Sequence, residues 1–302
     1  MTIASGANHS LAYVAETVAG TTPATPAFKK VPHTGTTIGV SKETQQSANL
    51  GGRQLRCFKH GNVSVSGDTS HEVGYGDFDD LLEAALCGTW ATNVLKAGVV
   101  RRTFTVERLF SDISTYIRHR GCEVNTMALS VAPNAIPTLT FGWVGLDQDP
   151  LNTLFTGATY TEASNNCPFD SFTGVVQEAG SPLGIVTQLD MSLENGIESL
   201  YAIGSNKGID KSIGKSIVTG NITVYFENTT LMNKFLANTE SSVDVTLTGT
   251  GGSLKFDIPR LSFTSGANPD VSGDGSVTLS LDLQGLFDPT DASNIVITRA
   301  AA

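Results

Sequence analysis

The sequence predicts a mostly β protein built as two similar halves, each a small sandwich or bent sheet with one short flanking helix. Three observations support that class. Apolar and polar residues alternate over many short segments, as strands buried on one face require. In NITVYFENTT, for example, Ile222, Val224 and Phe226 oppose Thr223, Tyr225 and Glu227. Glycine supplies 31 of 302 residues and only two short stretches have helical spacing, so strands and turns dominate. Segments of the first half also recur in the second: GNVSV at 61–65 against GNITV at 220–224, TFTVERLF at 103–110 against VDVTLTGT at 243–250, and TLTFGWVGL at 138–146 against TLSLDLQGL at 278–286. VSKETQQ at 40–46 lies in the same way against MSLENGI at 191–197. A recurring order of this kind points to duplication.

The elements follow along the chain. Residues 1–35, rich in Thr and Pro, read as an N-terminal arm that packs on a neighbour through Phe28 and Val31. A first β domain is expected over 36–147, with strands at 36–44, 62–72, 102–109, 116–125, 127–131 and 138–144. Its helix, DFDDLLEAAL, is capped by Asp77 or Asp79 and turns Phe78, Leu81, Leu82 and Leu86 to the core. CGTWATNVLKAGVVRR at 87–102 is an insert with no counterpart in the second half. Residues 148–184 read as a linker with short irregular strands. A second β domain is expected over 185–298, with strands at 185–193, 216–227, 242–247, 254–258, 261–264, 276–284 and 294–298. The helix TTLMNKFLAN offers Leu231, Phe235 and Leu236 to its core. Residues 299–302 form a C-terminal tail, and the last residues, like the arm, are expected to order only in an assembly.

Composition excludes several classes. Twenty-nine acidic against 19 basic residues give a net charge of -10, which opposes tight binding to a phosphate backbone. No apolar run approaches the roughly 20 residues of a membrane span, and no signal peptide is expected. Four scattered cysteines with no CxxC pair read as free thiols. Cys57, His60 and His71 lack a fourth ligand for zinc, and Asp270 and Asp274 lack EF-hand spacing and read as an acidic turn. SIGK at 212–215 stands without the partner motifs of an S-x-x-K enzyme. No catalytic constellation and no cofactor site is expected. Two Trp and six Tyr give little support to the alternative of a receptor- or carbohydrate-binding module.

The run SKETQQSANLGGRQLRCFKHGNVSVSGDTSHEVGYGDFDDLLEAALCGTW, followed by GCEVNTMALSVAPNAIPTLTFGWVG, SIVTGNITVYFENTTLMNKFLANTESSVDVTL and LKFDIPRLSF, resembles the major tail tube proteins of long-tailed bacteriophages with flexible, non-contractile tails. The resemblance covers about residues 38–297 and rests on structural motifs. It implies a virion tail protein, assembled in the host bacterial cytoplasm, whose units form six-unit rings with inner sheets joined into a barrel. Rings would stack on one another. Partners would be further copies, the tape-measure, tail-terminator and tail-tip proteins, and genomic DNA as transiting cargo, with no membrane. Two units per chain predict three chains per ring; the alternative is six chains with one half decorating the outside. Under that picture Ser64, Ser66, Asp68, Glu72, Glu123, Glu194, Thr223, Glu227, Asp257, Ser280, Asp282 and Gln284 are expected to face an acidic channel. Arg53, Arg56, Lys59, Lys207, Lys211 and Lys215, in the two long loops, are expected at ring–ring contacts.

Overall fold

The computed structural model describes residues 3–302 except 51, 152, 267, 270 and 272. The first half runs β1 (His9–Ala15), β2 (Ala27–Val31), β3 (Gly35–Thr36), β4 (Gly39–Gln46), β5 (Phe58–Glu72), helix α1 (Asp79–Ala85), β6 (Val94–Lys96), β7 (Phe104–Phe110), β8 (Thr115–Val131), β9 (Thr138–Gly145) and β10 (Asp147–Leu151). The second runs β11 (Thr159–Thr161), β12 (Val175–Glu178), β13 (Ser181–Pro182), β14 (Val186–Glu194), β15 (Glu198–Leu200), β16 (Asp210–Ser212), β17 (Ile217–Tyr225), helix α2 (Thr230–Leu236), β18 (Ser241–Gly249), β19 (Gly252–Phe263), β20 (Thr278–Gly285) and β21 (Val296–Ala301).

One antiparallel sheet crosses both halves in the order β4-β5-β9-β8-β14-β17-β20, with the last residues of β19 on β20. An outer layer covers each half: β2-β1-β7-β8-β10 over the first, and β13-β12-β18-β19-β21-β6 over the second. Strands β8 and β19 belong to both layers, pairing outward in their first residues and inward in their last. The sequence divides each of them into two strand candidates because each bends. β8 shifts register between Val124 and Thr126, and the β18–β19 register shifts opposite Pro259, a residue that cannot donate to a ladder.

The pairings of the first half recur in the second: β1–β2 as β12–β13, β1–β7 as β12–β18, β4–β5 as β14–β17, β5–β9 as β17–β20, β7–β8 as β18–β19, β8–β9 as β19–β20 and β8–β10 as β19–β21. The match corrects one detail of the sequence repeat. Gly145 packs on Val65 and Gly285 on Val218, so the residue equivalent to Gly220 is Gly67 rather than Gly61. A Cβ at Gly67 would lie 2.6 Å from the Thr37 carbonyl oxygen, and one at Gly220 2.5 Å from that of Asp190. Both glycines let the preceding strand's backbone come close.

The apolar sides of the continuous sheet and the outer layers enclose one core. Phe78, Leu81, Leu82 and Leu86 enter it from α1, and Leu231 from α2, with Phe235 partly buried. Leu236 is 67% exposed and leaves the predicted core list, because α2 presents only one turn to the sheet. The segment read as an arm is built in: Leu11, Ala12, Tyr13 and Val14 of β1 are buried between β2 and β7. The C-terminal residues form β21 on β19, and the insert supplies β6 on β21, with Arg299 stacked 4.4 Å from the Trp90 ring centre. All four cysteines are free thiols.

His71 and His119 lie within the core. Burial pulls both to about 4, aided at His119 by Arg108 and at His71 opposed by its bond to the Pro32 carbonyl. An unfolded histidine titrates near 6.5, so the unfolded chain binds more protons between those values and folding weakens as pH falls from about 6.5 to about 4. Melting curves across that range should lose less stability in His119→Gln than in the unaltered chain. Leu82→Ala should cost about 2–5 kcal/mol in denaturant unfolding, whereas Leu236→Ala should leave the midpoint unchanged.

Candidate functional site

Alternation along each strand of the continuous sheet sends its second set of residues to the open side. Register then assembles them into rows. One row runs Glu72, Thr138, Ser130, Asp190, Asn221 and Asp282; the next runs Ser70, Thr140, Ala128, Ser192, Thr219 and Gln284. A third carries Asp68, Gly142, Thr126 and Glu194. Among the described residues these rows hold five carboxylates, many hydroxyls and no lysine or arginine. Over the junction of the halves the face is concave, forming a trough of about 490 Å³ lined by Ser130, Asp190, Ser192, Asn221, Asp282 and Gln284 among others. Its polar groups are held in place. Asn221 Nδ2 donates to Asp282 Oδ1 at 2.7 Å and Ser265 Oγ to Asp282 Oδ2 at 2.7 Å, which keeps that carboxyl below its ordinary range. Gln188 Nε2 donates to Asp190 Oδ2 at 2.6 Å.

Ser64, Ser66, Asp68, Glu72, Glu194, Thr223, Ser280, Asp282 and Gln284 share this face. Three expected members do not. Glu123 is 3% exposed and binds Arg101 at 2.9 Å and Lys211 at 3.0 Å. Asp257 lies in the outer-layer part of β19, beside Lys255 and opposite Asp244. Glu227 follows the end of β17 in the turn to α2. Asp190 was missed, although LDMSLE alternates plainly enough to place it beside Glu194.

The two long loops differ. The β4–β5 hairpin continues past the sheet as a two-stranded ribbon in which Arg53, Arg56 and Lys59 are exposed. The loop between β14 and β17 instead folds back on the first half. Asn195 Nδ2 donates to the Ala85 and Val124 carbonyls at 2.8 and 3.2 Å, Val63 N to the Asn206 carbonyl at 2.7 Å, and Tyr201 Oη to the Val63 carbonyl at 3.0 Å. Lys211 is 2% exposed and reaches the Gly121 carbonyl and Glu123, while Lys207 pairs with Asp147 at 2.5 Å. Burial would raise the Asp147 carboxyl, but hydrogen bonds from Lys207, the Gln148 amide and Arg120 outweigh it and hold it low. Both lysines pair within the chain, because this loop closes the junction between halves; of the three expected contact residues, Lys211 is buried while Lys207 and Lys215 are exposed.

Among the described residues no group of three or more His, Cys, Asp or Glu is placed to hold a metal. Cys57 and His60 sit on the exposed ribbon, far along β5 from buried His71, and Asp270 lies outside the described residues. A two-layered chain with an acidic, hydroxyl-rich open face matches the phage tail tube protein family over residues 6–285. The chain belongs to that family. It is a structural component of a phage tail tube rather than an enzyme. No curated protein matches it. In this tail tube protein, Lys211→Met should lower stability by about 1–3 kcal/mol, since it strips a buried partner from Glu123. Lys215→Met should leave it unchanged, as thermal unfolding of the two variants would show.

Proposed function

We propose that the chain is the tail tube protein of a phage with a long, flexible, non-contractile tail, and that three copies close each ring of the tube. The observation that carries this reading is the polar sheet face that runs through both halves and is concave at their junction. Each half gives it four strands: β4, β5, β9 and β8, then β14, β17, β20 and the end of β19. Domain limits of 36–147 and 185–298 describe the two units, with β1 and β12 as the outer strand that precedes each.

Within the chain, β8 of the first unit pairs with β14 of the second. The equivalent edges at the chain's two sides are β19 and β4, and β4 is exposed along nearly its whole length. An open edge of this kind invites pairing, and the pairing with the matching pattern is β19 of one copy with β4 of the next. Three chains then close a barrel of 24 strands, about 37 Å across at the backbone before tilt widens it. That bore admits a hydrated DNA duplex. Asp68, Glu72, Asp190, Glu194 and Asp282 repel the phosphates of passing DNA, and the hydroxyls between them keep the wall wetted, so cargo slides without being held. The tape-measure protein fills the bore before DNA does, tail-terminator and tail-tip proteins bound the stack, and assembly proceeds in the bacterial cytoplasm.

Purified protein should polymerise into hollow rods. Replacing Asp68, Asp190, Glu194 and Asp282 together by Lys should leave rods visible by electron microscopy and slow DNA ejection from reconstituted virions. Loss of rods with ejection unaffected in the virions that still form would contradict this assignment of the face.

A further inference from the structure

We infer that Lys42 of one copy donates its ammonium to the Leu236 carbonyl at the end of helix α2 in the neighbouring copy of the same ring, and so locks the joint between chains. The inference rests on the tube reading above and names the contact that seals the β4 edge.

The joint inside the chain supplies the pattern. There Asn195, the residue after β14, donates to the Ala85 carbonyl at the end of α1 at 2.8 Å. The two helices end alike: Gly88 N reaches the Glu83 carbonyl at 3.0 Å and Thr239 N the Lys234 carbonyl at 2.9 Å, each just past a residue of positive φ, Cys87 or Asn238. Leu236 is therefore the counterpart of Ala85. Ala85 is fully buried, whereas Leu236 is 67% exposed and, among the described residues, no donor reaches its carbonyl. Leu146 and Leu286 match in the same way, through their amides' bonds to the Arg120 and Arg260 carbonyls. Leu146 is buried against Gly208 of the loop; Leu286 is only half-buried, and Phe287 beside it is 60% exposed. The second half thus carries the joint surface of the first, uncovered.

The side that fits it is β4. Counting from the matched Gly67 and Gly220, Ser66 pairs with Gly39 and Thr219 with Ser192. Val40 then stands where Leu193 stands, and Lys42 where Asn195 stands. Leu193 is buried against the first half, while Val40 is 40% exposed. Ser41 bonds Ser64 on the open face, so Lys42 points with Val40 to the other side, as Asn195 does. Lys42 is exposed.

The exchange of Asn for Lys suits a joint between chains. Inside the chain, the preceding strand holds the short amide against its acceptor. Between chains the longer side chain reaches further, and the last carbonyls of a helix favour a cation. A second copy is the occupant, because both uncovered surfaces belong to this chain and each is the counterpart of a covered one. The charge also makes this joint sensitive to salt, while the amide joint within the chain is not.

Two experiments test this. Lys42→Glu alters only an exposed side chain and should leave monomer melting unchanged, yet require at least tenfold more protein to form rings. Lys42→Arg should assemble as the unaltered chain does. In a Cys57→Ser, Cys167→Ser background, Leu236→Cys should let a short maleimide–succinimidyl ester reagent join Cys at 236 of one copy to the Lys42 amine of the next. The expected product is a denaturing-gel ladder that ends at three chains and disappears when Lys42→Arg is added. Lys42→Glu assembling at the ordinary concentration, or rods giving no Lys42-dependent ladder, would overturn this contact and leave the tube reading standing. A Lys42-dependent ladder that ends at six would support the contact and overturn the count of three. Unaltered protein that makes neither rings nor rods would overturn both.

Discussion

The ladder between β8 and β14 is the constraint on which the rest of the structure depends. Six residues on each side, from Thr126↔Glu194 to Val131↔Leu189, join the two halves into one sheet. Their register decides two surfaces at once. As observed, Leu189, Met191 and Leu193 enter the core beside Met127 and Leu129, while Asp190, Ser192 and Glu194 join the open face. A slip of one residue would exchange the sets, burying two carboxylates and exposing three large apolar side chains. Core burial therefore enforces the polar face, without any ligand to specify it.

The loop after β14 reinforces that register from the side. Asn195, Ile197, Asn206 and Lys211 bond to backbone or side chains of the first half, and Glu123 and Asp147 pair with Lys211 and Lys207 of the loop. The chain's acids thus divide into two kinds. Those in the junction are buried and paired, where leaving a charge without its partner is costly. Those on the open face have hydroxyl and amide neighbours and face solvent. The corresponding connection of the first half, between β4 and β5, has no second half beside it within the chain and extends freely as a ribbon.

Much of this was legible in the sequence. Two-residue alternation located most strands and the open-face positions on β5, β17 and β20, and the repeated order announced two units. What escaped has physical reasons. Alternation shows that Glu123 and Asp257 point to one side of a strand, but only tertiary pairing reveals that these parts of β8 and β19 have bent into the outer layer or the junction. Lys211 looks like a loop lysine until the loop is seen folded back on Gly121. Leu236 has helical spacing but sits past the turn of α2 that reaches the sheet. β1 lies in a stretch poor in pattern because four consecutive residues, Leu11 to Val14, are buried on both faces, which removes the alternation that marks a strand.

In the proposed ring, fusing two units in one chain would make every second unit–unit contact intramolecular and remove its association entropy. The proposed barrel would be indifferent to where the chain is cut, since strand number and tilt set closure. The central claim is that both halves contribute equally to the wall, and an axial view of assembled tubes tests it most directly. The account predicts three chains per ring, with a sixfold-like inner wall and an outer surface that the β6 insert reduces to threefold. Six complete chains around one ring would contradict it.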